Sequence, residues 1–291
     1  GDADALADGQ GGEDLRHAFQ PRAARMPART RTRRVGRVDA HVSTADRTTL
    51  LTGRVVTDGA ESQGAWVLVE GDRIVEVGSG ARPTAERTIE GAIVAPGFVD
   101  LHCHGGAGVA FDDGEAAIER AMAFHRAHGT TRQLASLVTG SLPDMTARAG
   151  AVAAVAARDD RLLGVHLEGP CIAEARKGAH DASLLRAPDA ASLDALVAAV
   201  GALPAMITLA PELDGGMDAV AALAARGWRV AVGHTDAVVE QGAAAFDAGA
   251  TIVTHAFNGM RGLDHRSPGV LPAAFDDERV TIEVIADGVH V

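Results

Sequence analysis

The chain contains no tyrosine, and aromatic residues make up only 3% of its 291 residues. Hydrophobic residues nevertheless make up 47%, so a buried core has to be built from alanine, valine, leucine and isoleucine. Such a core suits β-branched strands and alanine-rich helices. The length allows one large α/β domain or two smaller domains, so the division into domains has to come from the sequence pattern.

Basic residues are outnumbered by acidic ones, and cysteine is rare. The net charge of −12 disfavours a general nucleic-acid binder, because phosphate backbones are held by clustered lysine and arginine. The two cysteines form neither a disulfide framework nor a CxxC zinc pattern, which suits a reducing compartment. No apolar run reaches the roughly 18 residues of a membrane span. We therefore expect a soluble, cytoplasmic protein that binds neither nucleic acid nor membrane.

The first 95 residues divide into two parts that differ in composition and periodicity. Residues 1–48 carry nine arginines and seven acidic residues without helical or strand periodicity, which predicts a disordered or non-native extension. A basic arm for an acidic partner is the alternative. Residues 49–95 consist of short β-rich pieces separated by turn signals such as Asp58-Gly59 and Gly71-Asp72, which predict a small antiparallel β-sandwich part.

From residue 96 to 291, strand-like apolar runs alternate with alanine-rich helical runs. This alternation is typical of βαβ units and predicts an α/β fold with a parallel sheet. The nearest closed form is a TIM-like (β/α)8 barrel, of which seven units are present, so we expect the barrel to be incomplete at the C-terminus. The strand candidates are FVDLHCH, RQLASLVTG, LLGVHLEGP, AMITLAPE, WRVAVGHTDA, TIVTHAFNGM and VTIEVIADGVHV.

Polar side chains follow these predicted strands at the point where each strand ends. In a barrel, the active site gathers at the carboxyl ends of the strands. Glu168, His234 and His255 offer one carboxylate and two imidazoles, a ligand set that suits Zn²⁺ or another divalent ion with one position open for water. Taken singly, each would be a hydrogen-bonded residue at a strand end. The full set is His102, His104, Glu168, Glu212, His234, His255, Asp287 and His290.

Several motifs together resemble one family. They are APGFVDLHCHGG, GVHLEGPCIAEARKGAH, AVGHTDA, THAFNGM and ADGVHV. With these motifs, the chain from about Leu50 to its last residue is similar to the N-acetylglucosamine-6-phosphate deacetylase family of the amidohydrolase superfamily. The resemblance implies a metal-dependent hydrolase with a TIM barrel. It also implies a homodimer whose substrate is a small phosphorylated amino sugar.

The resemblance also assigns roles to individual residues. It implies that Glu168, His234 and His255 are the primary metal ligands. His180, Asn258 and Gly259 match substrate-binding positions. Arg266 matches an arginine that reaches the substrate phosphate across a dimer interface. His290 matches a substrate-contacting catalytic histidine that helps to polarise the acetyl carbonyl.

The number and identity of the metal ions stay open at this point. Some members of the resembled family lack the HxH motif and use one metal. The presence of His102 and His104 therefore predicts a second ion beside the first. Zn²⁺ is the expected metal, with Fe²⁺ and Mn²⁺ as alternatives.

One expected catalytic group is absent from the chain. The family's general acid/base is an aspartate at the end of the eighth strand, which is expected beyond Val291. Neither Asp236 nor Asp287 matches it by position.

The only lysine, Lys177, follows the third predicted strand. Amidohydrolases that bridge two metals through a carbamylated lysine carry that lysine at a strand end, so that subclass is disfavoured. Two other residues have simpler expected roles. Cys103 should face away from His102 and His104 as a small hydrophobe, and His125 should lie on the solvent side of its helix.

The sequence thus predicts hydrolysis of N-acetyl-D-glucosamine 6-phosphate to D-glucosamine 6-phosphate and acetate, in amino-sugar catabolism. Two alternatives remain. One is a different amidohydrolase without the bridging lysine, such as a deaminase or an N-acyl amino acid deacylase. The other is an inactive barrel fragment.

Overall fold

The computed structural model describes residues 47–57 and 60–291. The extension predicted for residues 1–48 therefore lies almost entirely outside the described residues. The described residues form a small sheet, a larger parallel sheet and the helices that cover the larger sheet.

The small sheet contains four strands in the order β3-β2-β1-β4. Its interior is a small cluster of Val55, Ala65 and Val67. The antiparallel expectation is correct for β1–β2 and β2–β3 but wrong for β1–β4, which is parallel. The reason is that the chain crosses from β3 to the free edge of β1 before β4 begins, so β4 runs in the direction of β1. The strands are β1 (Thr48–Thr57), β2 (Ala60–Glu70), β3 (Arg73–Ser79) and β4 (Arg87–Val94).

The larger sheet confirms the predicted α/β barrel architecture, as a curled parallel sheet of seven strands in the order β13-β12-β11-β10-β9-β8-β5. All seven predicted strand segments contribute a strand, but most strands end earlier than predicted. The predicted residues beyond these strand ends lie outside the sheet. The strands are β5 (Phe98–Asp100), β8 (Thr130–Val138), β9 (Leu162–Glu168), β10 (Ala205–Leu209), β11 (Arg229–Val232), β12 (Ile252–Val253) and β13 (Thr281–Ile282).

Six α-helices alternate with the strands of the larger sheet and pack their apolar sides against it. Side-chain caps fix where two of them begin: Ser141 accepts a hydrogen bond from the Asp144 amide, and Asp189 accepts one from the Ser192 amide. A short hairpin of β6 (Gly105–Gly106) and β7 (Val109–Ala110) precedes the first helix. The helices are α1 (Glu115–Ala127), α2 (Leu142–Ala156), α3 (Ala190–Val200), α4 (Gly216–Ala225), α5 (Val239–Asp247) and α6 (Leu271–Phe275).

The core between this sheet and its helices consists mainly of alanine, valine, leucine and isoleucine, as the composition predicts. The edges of the sheet are β5 and β13, and three hydrophobic side chains beside them, Phe98, Val99 and Val284, are exposed. Among the described residues, no helix combines the length and the apolar character needed to cross a membrane.

Ile207 lies in the central strand β10 and is fully buried, with 0% of its surface exposed, whereas Ile74 in β3 is 67% exposed. We expect Ile207→Ala to lower the free energy of unfolding by about 2–5 kcal/mol, because it removes buried methyl groups and leaves a cavity. The matched change Ile74→Ala should alter it by no more than about 0.5 kcal/mol. Urea denaturation of both variants measures the difference, and equal losses would contradict the placement of β10 at the centre of the core.

Candidate metal centre

The predicted ligands come from the carboxyl ends of neighbouring parallel strands. His102 and His104 follow β5, and Glu168 is the last residue of β9. His234 and His255 each stand two residues after the end of a strand, β11 and β12 respectively. Because parallel strands end at the same edge of the sheet, side chains that are far apart in the sequence meet there.

The carboxylate of Glu168 lies at the centre of five imidazole rings. Its Oε1 atom is 3.3 Å from Nε2 of His102 and 3.2 Å from Nε2 of both His234 and His255. These rings also contact one another, since the Nε2 atoms of His234 and His255 are 3.0 Å apart. The structure thus brings together all five residues predicted as metal ligands, and adds His180 to them.

The second carboxylate oxygen of Glu168 faces the two remaining rings. Oε2 is 3.0 Å from Nε2 of His104 and 3.3 Å from Nε2 of His180. Side-chain exposure is 5% for Glu168 and His180 but 37% for His104. The centre is therefore closed around the carboxylate and open to solvent on the side of His104.

Hydrogen bonds to the other ring nitrogen orient two of these imidazoles. Nδ1 of His234 lies 2.8 Å from the carbonyl oxygen of Arg176, which can only accept, so this nitrogen carries the proton. Nδ1 of His102 lies 3.2 Å from a carboxylate oxygen of Glu283, which fixes it in the same way. In both rings the Nε2 lone pair then points at Glu168.

The hydroxyl of Thr139 orients His180. It donates to the backbone oxygen of Glu168 over 3.1 Å and lies 2.8 Å from Nδ1 of His180. Because its single proton is already used, this hydroxyl accepts the Nδ1 proton of His180. The free Nε2 lone pair of His180 therefore also faces the carboxylate.

These lone pairs would repel the carboxylate oxygens unless a cation lay between them. Protonating all five rings instead would place an excess of positive charge in a largely buried pocket, which burial makes costly. The Nε2 atoms of His102 and His104 are 3.1 Å apart. That spacing is within a few tenths of an ångström of the roughly 3.3 Å edge of a tetrahedron built on Zn–N bonds of about 2.0–2.1 Å. The residues therefore fit a divalent cation.

Two pKa shifts also indicate a stabilised positive charge beside Glu168. Burial alone would raise the pKa of this carboxyl, but the adjacent imidazoles of His102 and three further histidines hold the pKa well below its usual range. Burial disfavours charged His102, yet Glu168 and Glu283 outweigh it and raise the His102 pKa to about 9. A proton on His102 and a metal ion therefore compete for the same carboxylate.

The backbone at two ligands is held in an uncommon conformation. His234 and His255 have φ angles of 46° and 30°, in the left-handed region that residues with a Cβ rarely adopt. Gly259, also with positive φ, lies so close that a Cβ there would be 3.1 Å from Nδ1 of His234. Such strain is found where surrounding structure imposes a functional geometry.

The substrate-binding residues predicted from the sequence occupy different places. His180 belongs to the centre itself, and Gly259 touches His234 while its carbonyl accepts from the Thr235 amide. Asn258 donates to the Ala256 carbonyl. These positions agree with a site at this end of the sheet, although the role of each residue in binding stays a prediction.

Arg266 and His290 lie apart from the imidazole cluster. Arg266 is exposed, in a turn where its amide donates to Asp264. Nδ1 of His290 lies 2.8 Å from Asp287, and both side chains are exposed. The structure therefore does not bring these two residues to the centre, and their catalytic and substrate-binding roles stay predictions.

Two other polar residues take part in hydrogen bonds outside the cluster. Glu212 accepts from the Thr235 hydroxyl and the Asp236 amide and so holds the chain after β11. Lys177 donates from Nζ to the His180 carbonyl over 3.0 Å. Neither residue is among the candidate ligands around Glu168.

Three supporting residues were not predicted: Glu283, Thr139 and His166. Glu283 and Thr139 orient ligands as described above. His166 is fully buried, between the hydroxyls of Ser136 and Thr208 at 2.8 Å each. Burial, reinforced by charged His102, holds the pKa of His166 well below its usual value. This histidine is therefore neutral and supports the centre from the core side. The sequence offered one signal, for Glu283, because a carboxylate is unusual within an apolar strand segment such as the seventh.

We expect Glu168→Gln to abolish most metal binding, because this carboxylate is the only anion that all five imidazoles share. The affinity for Zn²⁺ should fall by more than the roughly 10–100-fold typical of losing a residue that only orients a ligand. Competition with a chromogenic chelator measures it. The control Glu240→Gln changes an exposed carboxylate on α5, and equal affinity of both variants would contradict the assignment.

Glu283→Gln tests the orientation of His102. The amide cannot fix the imidazole tautomer as a carboxylate does, so Zn²⁺ affinity should fall by about 10–100-fold. The change should be confined to metal binding, with the free energy of unfolding of the metal-free chain altered by less than about 1 kcal/mol. Glu278→Gln, an exposed neighbour before β13, is the control. An affinity equal to that of the unmodified chain would show that Glu283 does not support the site.

Comparison with known proteins gives N-acetyl hexosamine 6-phosphate deacetylases among the proteins similar to this chain. No family model matches the chain. The crystal structure of N-acetyl-D-glucosamine-6-phosphate deacetylase from Mycobacterium smegmatis is 42% identical, with a TM-score of 0.80 over 84% of this chain and 70% of that one. A variant of the same enzyme, 43% identical with a TM-score of 0.81, covering 84% of this chain and 65% of that one, is in complex with N-acetyl-D-glucosamine 6-phosphate.

Curated sequences agree with this. N-acetylgalactosamine-6-phosphate deacetylase of Escherichia coli O157:H7 is 37% identical over 214 residues, covering 72% of this chain and 56% of that protein. N-acetylglucosamine-6-phosphate deacetylase of Mus musculus is 34% identical over 226 residues, covering 70% and 53%. The chain thus spans about half the length of these curated relatives. With its cluster of five histidines around Glu168, it belongs to the N-acetylglucosamine-6-phosphate deacetylase family of amidohydrolases.

Proposed function

We infer that this chain carries the metal centre of a deacetylase that hydrolyses N-acetyl-D-glucosamine 6-phosphate to D-glucosamine 6-phosphate and acetate. The observation that carries the proposal is the buried Glu168 carboxylate, whose oxygens lie 3.2–3.3 Å from imidazole nitrogens at the ends of several parallel strands. Membership of the family and the complex of the M. smegmatis relative with this sugar phosphate support the choice of substrate.

Two sets of residues would hold metal ions, with Glu168 common to both. Glu168, His234 and His255 form the primary set, and His102 with His104 forms the set for a second ion. All of them offer nitrogen or carboxylate oxygen, which suits Zn²⁺, with Fe²⁺ and Mn²⁺ as alternatives. A bound divalent ion supplies Lewis-acid polarisation of the acetamide carbonyl and of water.

The chain's own residues prepare the centre for this reaction. Buried His180 and Glu168 exclude water from one side of the centre, while the partly exposed side at His104 admits the substrate. Asn258 and Gly259, adjacent to His234, would orient the sugar. Arg266 of a second copy would contact the phosphate, and His290 would polarise the carbonyl once it is brought to the site. The aspartate for proton transfer, beyond Val291, remains a prediction.

A second substrate follows from one comparison. The E. coli relative is named as a deacetylase of the galactosamine epimer, and it is as similar to this chain as the glucosamine enzymes are. The two sugars differ only in the orientation of the hydroxyl on C4, which is not part of the acetamide that is hydrolysed. N-acetyl-D-galactosamine 6-phosphate is therefore the alternative substrate. The cytoplasmic location and the homodimer expected from the sequence are part of the same proposal.

Acetate release tests the proposal directly. With the metal-loaded protein, kcat/KM for either N-acetyl hexosamine 6-phosphate should exceed that for unphosphorylated N-acetylglucosamine by about 10–100-fold, because a hydrogen bond to a charged group contributes about 1.5–3 kcal/mol. The ratio between the two epimers decides which sugar is the substrate. Equal rates with and without the phosphate, or faster release from N-acetyl amino acids, would instead support another amidohydrolase.

Variants connect this activity to the centre. His255→Asn should abolish turnover, whereas His265→Asn, which changes an exposed histidine in the turn near Arg266, should retain it. A chain that binds Zn²⁺ but releases no acetate from any of these substrates would support the alternative of an inactive barrel fragment.

A further inference from the structure

Three potential metal ligands outside the centre meet behind the segment that carries His102 and His104. They are Asp100 at the end of β5, Cys103, and His125 on α1. One ligand atom from each lies within 4.8 Å of the others. Cys103 faces away from the centre, as predicted. The prediction that His125 lies on the solvent side is wrong, because its Nε2 atom reaches inward to Cys103.

The contacts of Cys103 and His125 converge on one backbone oxygen, while the Asp100 carboxylate accepts from the His102 amide over 3.1 Å. The Cys103 thiol donates to the Gly105 carbonyl over 3.2 Å, and Nε2 of His125 lies 2.8 Å from the same oxygen. The sulfur and Nε2 are themselves 3.1 Å apart. Sulfur, nitrogen and oxygen therefore converge, an arrangement in which a single cation could replace the thiol proton and contact all three atoms, with the imidazole proton carried on Nδ1.

The glycine pair after His104 makes this approach possible. Gly105 has a φ of 145°, and a Cβ on it would lie 2.2 Å from the Val109 carbonyl oxygen. A Cβ on Gly106 would lie 2.8 Å from Nε2 of His125 and 3.0 Å from the Phe124 ring. A side chain at Gly106 would push His125 away from the sulfur, and a side chain at Gly105 would clash with the backbone of the hairpin at Val109. The two glycines therefore keep the cluster assembled.

We propose that Cys103, His125 and Asp100, together with the Gly105 carbonyl oxygen, form a separate binding site for a borderline-soft divalent cation of the Zn²⁺ type. A thiolate, an imidazole and a carboxylate are a ligand set typical of zinc, and thiolate disfavours Mg²⁺ and Ca²⁺. The thiol releases its proton to solvent when the ion binds. The sulfur and nitrogen need to separate by only a few tenths of an ångström, since Zn–S and Zn–N bonds of about 2.3 and 2.0–2.1 Å set them about 3.5 Å apart.

This site does not depend on the proposed deacetylase activity. Its ligands are distinct from the histidines around Glu168, and its sulfur faces the helix layer. A cation here would join α1 to the segment between β5 and β6. It would thereby restrain, from behind, the backbone that positions His102 and His104.

Cobalt substitution tests the proposal, because only thiolate coordination gives a sulfur-to-cobalt charge-transfer absorption in the near ultraviolet. The full chain, freed of metal by chelation and kept reduced, is titrated with Co²⁺ alone. We expect this band to appear and to saturate with an intensity that corresponds to one thiolate-bound Co²⁺ per chain, whatever amount of Co²⁺ the Glu168 centre also binds. Cys103→Ser should abolish it, and Cys171→Ser, which changes the buried second cysteine, should leave it intact.

A second pair of variants tests the imidazole. His125→Gln should weaken Co²⁺ binding at the site that gives this band by at least about 10-fold, because a ligand is removed. His128→Gln, which changes the exposed histidine just after α1, should not. Circular dichroism checks that each variant is folded. A wild-type chain without the band, a band that survives Cys103→Ser, or an affinity unaffected by His125→Gln would overturn the proposal.

Discussion

The negative charge of Glu168, buried among five imidazole rings, is the interaction on which the arrangement of the site depends. A carboxylate that is 95% removed from solvent is costly unless positive charge and hydrogen-bond donors surround it. The fold meets this requirement by placing His102, His104, His234 and His255 at the ends of other strands, so that each ring faces the same two oxygens. The cluster then concentrates nitrogen and oxygen lone pairs in one place, which is the property that binds a divalent ion.

A layer of hydroxyl groups beneath the cluster separates it from the apolar core. His166 lies between Ser136 and Thr208, and the Thr208 hydroxyl is 2.8 Å from that of Thr254. These groups satisfy one another within the barrel interior, which keeps a buried histidine neutral directly beside His102. Hydrogen bonds between neutral groups therefore support the site on the core side, and the charge of Glu168 organises the histidines at its centre. A change in these groups would act on the metal through the position of His102, whose ring centroid is 4.5 Å from that of His166, and through the Cys103 amide, which donates to Ser136.

The ligands were predictable from the sequence because parallel strands place their carboxyl ends together, so that each polar residue ending an apolar run pointed to the same edge. Residues that orient the ligands could not be found in this way. Glu283 and Thr139 read as ordinary strand-end residues until the three-dimensional neighbours of His102 and His180 are known. The parallel pairing of β4 with β1 was missed for a similar reason, since short β pieces with turn signals do not specify which edge a later strand joins. His125 was misplaced because helix position alone does not reveal that Gly106 leaves room for its ring beside Cys103.

We interpret Glu168 and its histidines as a metal site rather than as a network of protonated imidazoles. A crystal structure of the zinc-loaded chain, with anomalous scattering recorded at the zinc edge, separates the two most directly. We expect an anomalous peak about 2.0–2.2 Å from a Glu168 oxygen and from Nε2 of His234 and His255. A map without an anomalous peak among these residues, in which the Nε2 atoms still lie within hydrogen-bond distance of the carboxylate, would contradict the account.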